Sequence, residues 1–518
     1  MEARVLKGFR GWETLECGRH LIHSAYDPQR EAATFIRPAL KANPDLLLIF
    51  GLGLGYHLEC LVQKMKSVRA IVFEPSQQIH QLFLQKGRLS QEPKEWLWIT
   101  THLEEFNEVF SQLYIYHPGD ISVGLLILPA YTKLFPEELA CFQENLKRMV
   151  ARKTSNVDTI ARKKRLWFEN FLENIPHLFE SPDITSLSGL FQNIPCFLVG
   201  AGPSLSKNVD RLKKANDRAL IFSANAAFNR LNQEGVQPQI TGVLEGSDVS
   251  HHLKGMTGIS QTYLAVEACA NPRHFQIESK GRFVFHSQKW SAELLGKSDF
   301  VPNGGHVGSA GFTMAVLLGC NPLLLVGQDL TFEGDKVHAE GAEDSPILTE
   351  NEETVGIPRD ERRAIAMRSM SAYQMWYEES AAYLRREDPQ RILLNATEGG
   401  ITIPGIPNVS LQEALEKFCR NEFDFEKVLQ KRKVQERIDA SVPLKKVERL
   451  ILSLDEFMGR SEGKYSRDQI EEFTGRSRFI EFCFQDVPVN NIELIRTRAY
   501  LARLKERIQR NPEEGSKK

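Results

Sequence analysis

The sequence lacks any apolar segment near the ~20 residues that a membrane-spanning helix needs, and its start has no continuous apolar stretch of the secretory-signal kind. We therefore expect a cytoplasmic protein without a membrane span. It also lacks an excess of either charge, because 65 Lys and Arg residues face 67 Asp and Glu residues, for a net charge of -2. Without a basic field, the chain has no general attraction for nucleic acid. We predict no nucleic-acid partner.

Closely spaced cysteine pairs are also missing. The eight cysteines are scattered singly, and no CxxC pair occurs. This spacing suggests neither a zinc site nor a disulfide framework. We therefore predict no metal site and expect most cysteines to be reduced core residues.

What is present is typical of a folded protein with more than one domain. The 518 residues exceed the size at which a single core stops growing, and the 42% hydrophobic and 25% charged fractions are near the average of globular proteins. The pattern predicts an α/β fold, with two Rossmann-like parallel-sheet domains followed by a C-terminal helical region. The predicted segments are an N-terminal Rossmann-like domain (1–150), a connecting helix (151–190), a central nucleotide-sugar-binding domain (191–418) and a helical region (419–518).

The first glycine-rich turn follows the apolar run 45–50 and precedes a helical pattern, so it reads as strand, turn and helix. Gly51, Gly53 and Gly55 would let the backbone approach a ligand, and Glu74, after the next strand, would accept bonds from ribose hydroxyls. Equally, the glycines could serve only close packing of strand and helix. The segment resembles the methyltransferase-like arrangement of adenosyl-cofactor enzymes, but no later motif supplies methyl-transfer chemistry.

The central domain alternates apolar runs with helical patterns, which predicts a parallel sheet with both faces covered. Ligands of such sheets bind beyond the carboxyl ends of the strands. The predicted strands are the runs 195–199, 219–223, 239–244, 282–285, 322–326 and 391–394.

A second glycine-rich turn follows the first of these strands. Its backbone N–H groups and its serine hydroxyl could point at a phosphate, although any turn between strand and helix can use glycine and serine as caps. A branched side chain at Gly202 should then block the ligand while leaving the fold intact. The residues of this candidate site are Gly200, Ala201, Gly202, Pro203, Ser204 and Leu205.

Polar residues follow other strands at the same predicted edge of the sheet. Asn225 could read a base or a ribose hydroxyl, or satisfy its own backbone. Glu245 and Asp248 could contact ribose or hold a metal, and neither need do so. Gln328 and Asp329 form a further polar pair.

A glycine-rich segment with Gly308 and Ser309 opens an apolar helix, and such a helix start suits an anion. His338, in a loop further on, is our candidate general base, since a neutral imidazole accepts a proton near pH 7. His306 is the alternative, while His251 belongs to a His-His pair more easily read as solvated.

Together these motifs resemble a known family. The ordered series GAGPSL with Asn225, GSAGFTMAVLLGC, LLLVGQDLTF with His338, and LNATEGG with Glu398 and Gly399 looks like the motility accessory factor (Maf) family of flagellin glycosyltransferases. The resemblance covers about residues 191–418. The same region is more distantly similar to bacterial CMP-sialic acid transferases and to archaeal 6-hydroxymethylpterin diphosphokinases.

The resemblance implies an enzyme that moves a nonulosonic acid, of the pseudaminic or legionaminic type, from its CMP-activated donor to Ser or Thr of flagellin, as flagellar assembly and motility require. Ser204 and Ser309 would then support the departing phosphate, and Asn225 the cytidine. Ala201 replaces an amide of the sialyltransferase turn, so one nucleotide contact is missing. Because CMP carries a single phosphate, a divalent metal is less necessary than for a nucleoside diphosphate donor; the reaction could use one but does not require it.

Two alternatives stay open. The pterin kinases would use ATP and a divalent metal, and a non-catalytic flagellin-binding factor would need no turnover. The amphipathic helices after residue 418 would recognise the acceptor protein, or would merely cap the central domain.

Overall fold

Parallel sheets organise the computed structural model of the chain. It describes residues 2–64, 68–89, 96–115, 121–297, 300–331, 339, 342, 354–359, 362–431, 440–459, 467–475, 477–484 and 491–514. The chain divides into two compact units, Met1–Val157 and Asp158–Lys518. The predicted fold class, with two parallel sheets and a helical C-terminal region, is confirmed, while the finer boundaries at 150, 190 and 418 stay predictions.

The first unit contains a four-stranded parallel sheet of order β6-β5-β4-β7 and a three-stranded antiparallel sheet of order β1-β2-β3. All five residues of the central strand β4 are buried, because β4 pairs on both edges and is covered on both faces. The strands are β1 Ala3–Lys7, β2 Glu13–Cys17, β3 His20–Leu21, β4 Leu46–Phe50, β5 Arg69–Phe73, β6 Leu97–Thr100 and β7 Val123–Ile127. The helices are α1 Pro28–Phe35, α2 Arg37–Ala42, α3 Tyr56–Lys64, α4 Gln77–Lys86, α5 Leu103–Phe110, α6 Tyr131–Leu134 and the start of α7 Pro136–Glu180.

The second unit contains a seven-stranded sheet, parallel throughout, of order β12-β11-β10-β9-β8-β13-β16. The predicted strands are found within two residues of their expected bounds, because each is a short buried apolar run. β11 was not predicted; its apolar run is equally buried and ends in a glutamate. The strands are β8 Cys196–Val199, β9 Leu220–Ala224, β10 Ile240–Val243, β11 Tyr263–Glu267, β12 Gly281–Phe285, β13 Leu323–Val326, the hairpin β14 Thr354–Arg359 and β15 Arg362–Met367, and β16 Leu393–Asn395.

The helices of this unit complete its layers. The predicted connecting helix is the second part of α7, which is followed by a 3-10 turn at Ile184–Leu187. The remaining helices are α8 Leu205–Asn208, α9 Phe228–Gln233, α10 Lys289–Leu294, α11 Val307–Leu318, α12 Arg368–Glu387, α13 Leu411–Phe418, α14 Phe425–Lys431, α15 Ser441–Gly459, α16 Arg467–Thr474, α17 Arg478–Phe484 and α18 Asn491–Glu514.

The C-terminal helices share a core with the central sheet. The α10 side chain Trp290 stacks on Phe482 of α17 at 4.8 Å between ring centroids, and Phe168 of α7 lies 5.6 Å from Phe479. Leu504 of α18 is fully buried in the same cluster. These apolar faces therefore cap the central domain, and a role in acceptor recognition stays a proposal. Among the described residues, no helix combines the length and apolar character that crossing a bilayer requires.

Candidate functional site

The order in which the chain adds strands to the central sheet reverses at β8. From β8 the chain builds outward through β9 to β12 on one side, and then returns to place β13 on the other side. Such a switch point opens a crevice at the carboxyl ends of the two strands, where ligands of parallel sheets bind. The turn after β8, which starts at Gly200, and the turn after β13, which starts at Gly327, meet here, since Gly202 N donates to Gly327 O over 2.8 Å.

The Ser204 donors, which the sequence predicts to bind phosphate, are hydrogen-bonded to Asp329. Its carboxylate accepts the Ser204 backbone N–H at 3.2 Å and the Ser204 hydroxyl at 2.8 Å, and both side chains are buried. The helix after the turn, α8, is only four residues long. A phosphate at the Ser204 donors would have to displace Asp329 and approach its negative charge, so the proposed role of this turn in phosphate binding stays a prediction.

Close packing around Gly202 leaves no space for a side chain at this position of the turn. A Cβ atom there would lie 2.0 Å from Asp329 Oδ2 and 2.6 Å from the Gly327 carbonyl oxygen. Gly399 is similarly close, since its Cβ would lie 2.2 Å from Ser204 Cβ. The expectation that a branched side chain at Gly202 would spare the fold is therefore wrong, because the turn leaves no space for a side chain.

Other predicted substrate residues also have protein partners. Glu398 accepts a hydrogen bond from Asn208 Nδ2 at 2.6 Å and lies 3.9 Å from the Arg211 guanidinium. Gln328 is buried, and its backbone N–H donates to Thr397 Oγ1 at 3.3 Å. Both residues line the edge of the crevice at β13 and β16, where they stabilise its walls.

The N-terminus of α11 also lies at this crevice, and its N-cap residue, His306, makes no side-chain capping hydrogen bond. The helix is twelve residues long, and Gly308 and Ser309 lie in its first turn. The Ser309 hydroxyl donates to the His306 carbonyl at 2.6 Å and accepts from Gly304 N at 2.9 Å, so it fixes the loop and is not aimed at a ligand. The backbone N–H groups of this first turn are the ones a helix leaves without internal partners.

Two tyrosines of α12 face this helix start, and neither was predicted from the sequence. A Cβ atom at Gly308 would lie 2.9 Å from the Tyr377 hydroxyl oxygen, which is buried and has no hydrogen-bond partner among the described residues. The ring of Tyr373 lies 4.1 Å from the ring of His306. The spacing of the tyrosines, one helical turn apart, is a signal that sequence inspection could have used.

His306 is buried in a way that weakens it as a base, and its general-base role stays a prediction. Burial lowers the pKa of His306 to about 3, so the neutral ring has little affinity for a proton near pH 7. Its Nε2 is shielded from solvent and has no partner among the described residues. A neutral ring in this position packs on Tyr373 and supports the helix start. The first-choice base, His338, lies outside the described residues.

The polar residues after β9 and β10 separate into different environments. Asn225 is buried, with its Nδ2 3.0 Å from His252 Nδ1. Asp248 is bound by the Ser250 N–H at 3.0 Å and pairs with Arg273; the Ser250 hydrogen bonds and then the Arg273 charge lower the pKa of Asp248 to about 2.

Glu245 differs from its neighbours. No hydrogen bond to its carboxylate is formed by any described residue, and its side chain is half-buried. Burial raises the pKa of Glu245, and the charge of Lys163 opposes that shift. The charge of Glu245 in turn contributes, after burial, to raising the pKa of Tyr373 to about 12. Glu245 therefore lies close enough to Tyr373 of α12 for its charge to act on that side chain.

The glycine turn of the first unit is closed by the protein's own side chains. Leu52 N donates to Glu74 Oε2 at 2.8 Å, Gly53 N to the Tyr131 hydroxyl at 3.1 Å, and Leu54 N to His23 Nε2 at 2.7 Å. The N–H groups of the flanking glycines bind backbone carbonyls. The turn therefore has no unpaired N–H group for a ligand.

The three predicted glycines of this turn make room for those side chains. A Cβ atom would meet the Tyr131 ring at 2.9 Å from Gly51, His23 Nε2 at 2.3 Å from Gly53, and Phe83 at 2.6 Å from Gly55.

Glu74, predicted to bind ribose, is fully buried. It also accepts the Ser76 N–H at 2.9 Å and the Tyr131 O–H. Burial raises the pKa of Glu74 to about 7 against these hydrogen bonds. Ligand binding at this turn would require displacing Tyr131 or His23, and it stays a prediction.

Metal ligands are not grouped in the part of the chain that the structure describes, where no three His, Cys, Asp or Glu side chains converge. A cavity of about 310 Å³ in the first unit is lined by side chains that include His23, Phe35, His57 and Lys133.

Comparison with known proteins returns two of the three families that the motifs resemble. A family model described as 6-hydroxymethylpterin diphosphokinase MptE-like matches residues 169–335. Among solved structures, the Maf glycosyltransferase from Magnetospirillum magneticum AMB-1 is similar with a TM-score of 0.49 and 14% identity, over 98% of this chain and 90% of that chain. No curated protein sequence matches the chain.

Proposed function

We propose that the protein is a glycosyltransferase that moves a nonulosonic acid, of the pseudaminic or legionaminic type, from CMP to Ser or Thr hydroxyls of flagellin in the cytoplasm. The motif series of the central domain supports this family of reactions. The observation that carries the proposal is the N-terminus of α11, where the N-cap side chain makes no capping hydrogen bond, beside the Tyr377 hydroxyl, which has no partner among the described residues. Both lie at the switch point of a parallel sheet.

This corner of the crevice suits the single phosphate of a CMP donor. The first-turn N–H groups of α11 donate to anions, and the helix dipole favours negative charge at this end. The Tyr377 hydroxyl adds a donor that finds no partner among the described residues. As the bond from the sugar to the phosphate breaks, these groups stabilise the charge on the departing phosphate.

Ser204 and Ser309 keep a structural part in this proposal. Their hydroxyls bind Asp329 and the His306 carbonyl, and so hold the turn after β8 and the start of α11 in place. Asn225, at the end of β9, is proposed to read the cytidine, because its amide lies at the same sheet edge. No divalent metal is needed to neutralise a monophosphate leaving group.

A second candidate is pyrophosphoryl transfer from ATP to a hydroxymethylpterin, favoured by the family model that matches residues 169–335. This reaction would use a divalent metal to neutralise the triphosphate. A flagellin-binding factor without turnover is the third reading. The three differ in which nucleotide they bind and in whether they turn it over.

Calorimetry with CMP, and in parallel with ATP and Mg²⁺, tests the proposal. We expect CMP to bind without metal, and Tyr377→Phe to weaken that binding. Binding of ATP only, dependent on Mg²⁺ and followed by pyrophosphoryl transfer to 6-hydroxymethylpterin, would replace the proposal with the kinase. Nucleotide binding with no turnover of any CMP-nonulosonate would support the non-catalytic factor.

A further inference from the structure

We propose that Glu245 is the general base that takes the proton from the acceptor hydroxyl, a role that rests on the proposed transferase function. The residue follows β10 at the carboxyl edge of the central sheet. It is the acid of that edge whose carboxylate keeps access to solvent and has no hydrogen-bond partner among the described residues. A base must be free to accept the proton, and Glu245 meets this requirement.

The other acids that the structure describes at the ends of β10, β11 and β13 are engaged. Asp329 binds the N–H and hydroxyl groups of Ser204, and Asp248 pairs with Arg273. Glu267, at the end of β11, is buried and accepts from the Ser287 hydroxyl at 2.9 Å and from the Ser287 N–H at 3.2 Å. Each of these carboxylates would have to break protein contacts before it could accept a proton.

The position of Glu245 relative to the proposed phosphate site follows from α12. Glu245 acts electrostatically on Tyr373, whose ring packs on His306, the residue that precedes α11. Tyr377, one turn along the same helix, meets the α11 start at Gly308. The strand that precedes Glu245 also packs against the start of α11, since a Cβ atom at Gly242 of β10 would lie 2.8 Å from Val307 Cγ1.

The charged and titratable groups that face Glu245 favour proton acceptance near neutral pH. Lys163 of α7 stabilises the anion, and Tyr373 of α12 is uncharged in this range, since its pKa is raised to about 12. Burial raises the pKa of Glu245 above that of an ordinary glutamate. A stronger base at this edge takes a hydroxyl proton more readily than an exposed carboxylate.

Transfer of the sugar from CMP to the acceptor hydroxyl needs no further reactant. The acceptor oxygen forms a bond to the anomeric carbon of the nonulosonic acid, and the bond from that carbon to the phosphate oxygen breaks. The electron pair of the broken bond leaves with CMP. The hydroxyl proton passes to the Glu245 carboxylate and is then released to solvent, to which the half-buried side chain has access.

The test compares Glu245→Gln with Glu278→Gln, which makes the same chemical change at an exposed carboxylate before β12, at the opposite edge of the sheet. We expect Glu245→Gln to lower the transfer rate ~10²–10⁴-fold, the usual contribution of a general base, with CMP affinity unchanged. Glu278→Gln should behave as wild type.

The pH profile separates a catalytic role from a structural one. Wild-type kcat should fall as the pH drops through the raised pKa of Glu245, because the protonated carboxyl cannot accept a proton. In Glu245→Gln this acidic limb should vanish from the residual rate. A wild-type rate in Glu245→Gln, an unchanged acidic limb, or a parallel loss of CMP affinity would each refute the base role. If wild-type protein transfers no sugar from any CMP-nonulosonate, the proposed function itself fails.

Discussion

The Asp329 carboxylate and Ser204 bind each other at two points, with Ser204 N 3.2 Å from Oδ1 and Ser204 Oγ 2.8 Å from Oδ2. The pair joins the turn after β8 to the turn after β13 across the switch point of the sheet. A buried carboxylate that accepts two hydrogen bonds is a structural link. The crevice is therefore pre-formed by the protein's own contacts.

Gly202→Ala should disturb this link. The new Cβ would lie 2.0 Å from Asp329 Oδ2 and 2.6 Å from the Gly327 carbonyl, and a backbone oxygen cannot move away cheaply. We expect a loss of ~1–3 kcal/mol in the free energy of unfolding, measured by urea denaturation. Gly459→Ala is the matched control, since a Cβ there meets nothing within 4 Å. Equal stability of the two variants would contradict the packing role.

Tyr377→Phe should separate ligand binding from folding. The hydroxyl is buried and has no partner among the described residues, so removing it costs the folded state no hydrogen bond. We expect unchanged or slightly higher stability, together with weaker CMP binding by calorimetry. Tyr383→Phe, at an exposed position of the same helix, is the control. Undiminished CMP affinity in Tyr377→Phe would move the phosphate site elsewhere.

Tyr131→Phe should weaken the first unit. The Tyr131 hydroxyl accepts from Gly53 N at 3.1 Å and donates to Glu74, so its loss leaves two buried groups unpaired. We expect a destabilisation of ~1–3 kcal/mol by urea unfolding. Tyr26→Phe, with its side chain exposed, should change nothing. A neutral Tyr131→Phe would show that the turn is not held by its side-chain partners.

Acid should destabilise the first unit through His57. Burial lowers the pKa of His57 to about 3, whereas the unfolded chain titrates near the ordinary value of 6.5. Below the unfolded pKa only the unfolded state binds the proton, so stability is lost as pH falls towards 3. Hydrogen exchange of β4, corrected for intrinsic rates, should show a larger loss of protection between about pH 7.5 and pH 5 in wild type than in His57→Gln. His20→Gln, at an exposed site, should lose as much protection as wild type over this pH range. If His57→Gln also loses as much protection as wild type, His57 is not the cause.

The sheets could be predicted because their strands are buried on both faces and so appear as short apolar runs between turns. The sequence also indicated that the polar residues of the candidate site follow strands at the carboxyl edge of the central sheet. It could not predict which donors remain unpaired. Ser204 is separated from its partner Asp329 by more than a hundred residues, and Tyr377 reaches the α11 start only through tertiary packing.

The glycine turn of the first unit illustrates the same limit. GLGLG followed by Glu74 is typical of nucleotide binding, yet the structure fills the turn with Tyr131 and His23. Both lie outside the motif, one before it and one well after it, and no local spacing signals their approach. A motif thus predicts backbone geometry more securely than what the backbone binds.

The proposed transfer can be measured as the intact mass of flagellin after incubation with the purified protein and a CMP-nonulosonate. We expect mass increments equal to whole nonulosonic acid residues, lost when Ser and Thr acceptors are removed from flagellin and absent when the donor is omitted. Flagellin of unchanged mass with both CMP-pseudaminic and CMP-legionaminic acid, under conditions where the protein binds CMP, would contradict the proposal.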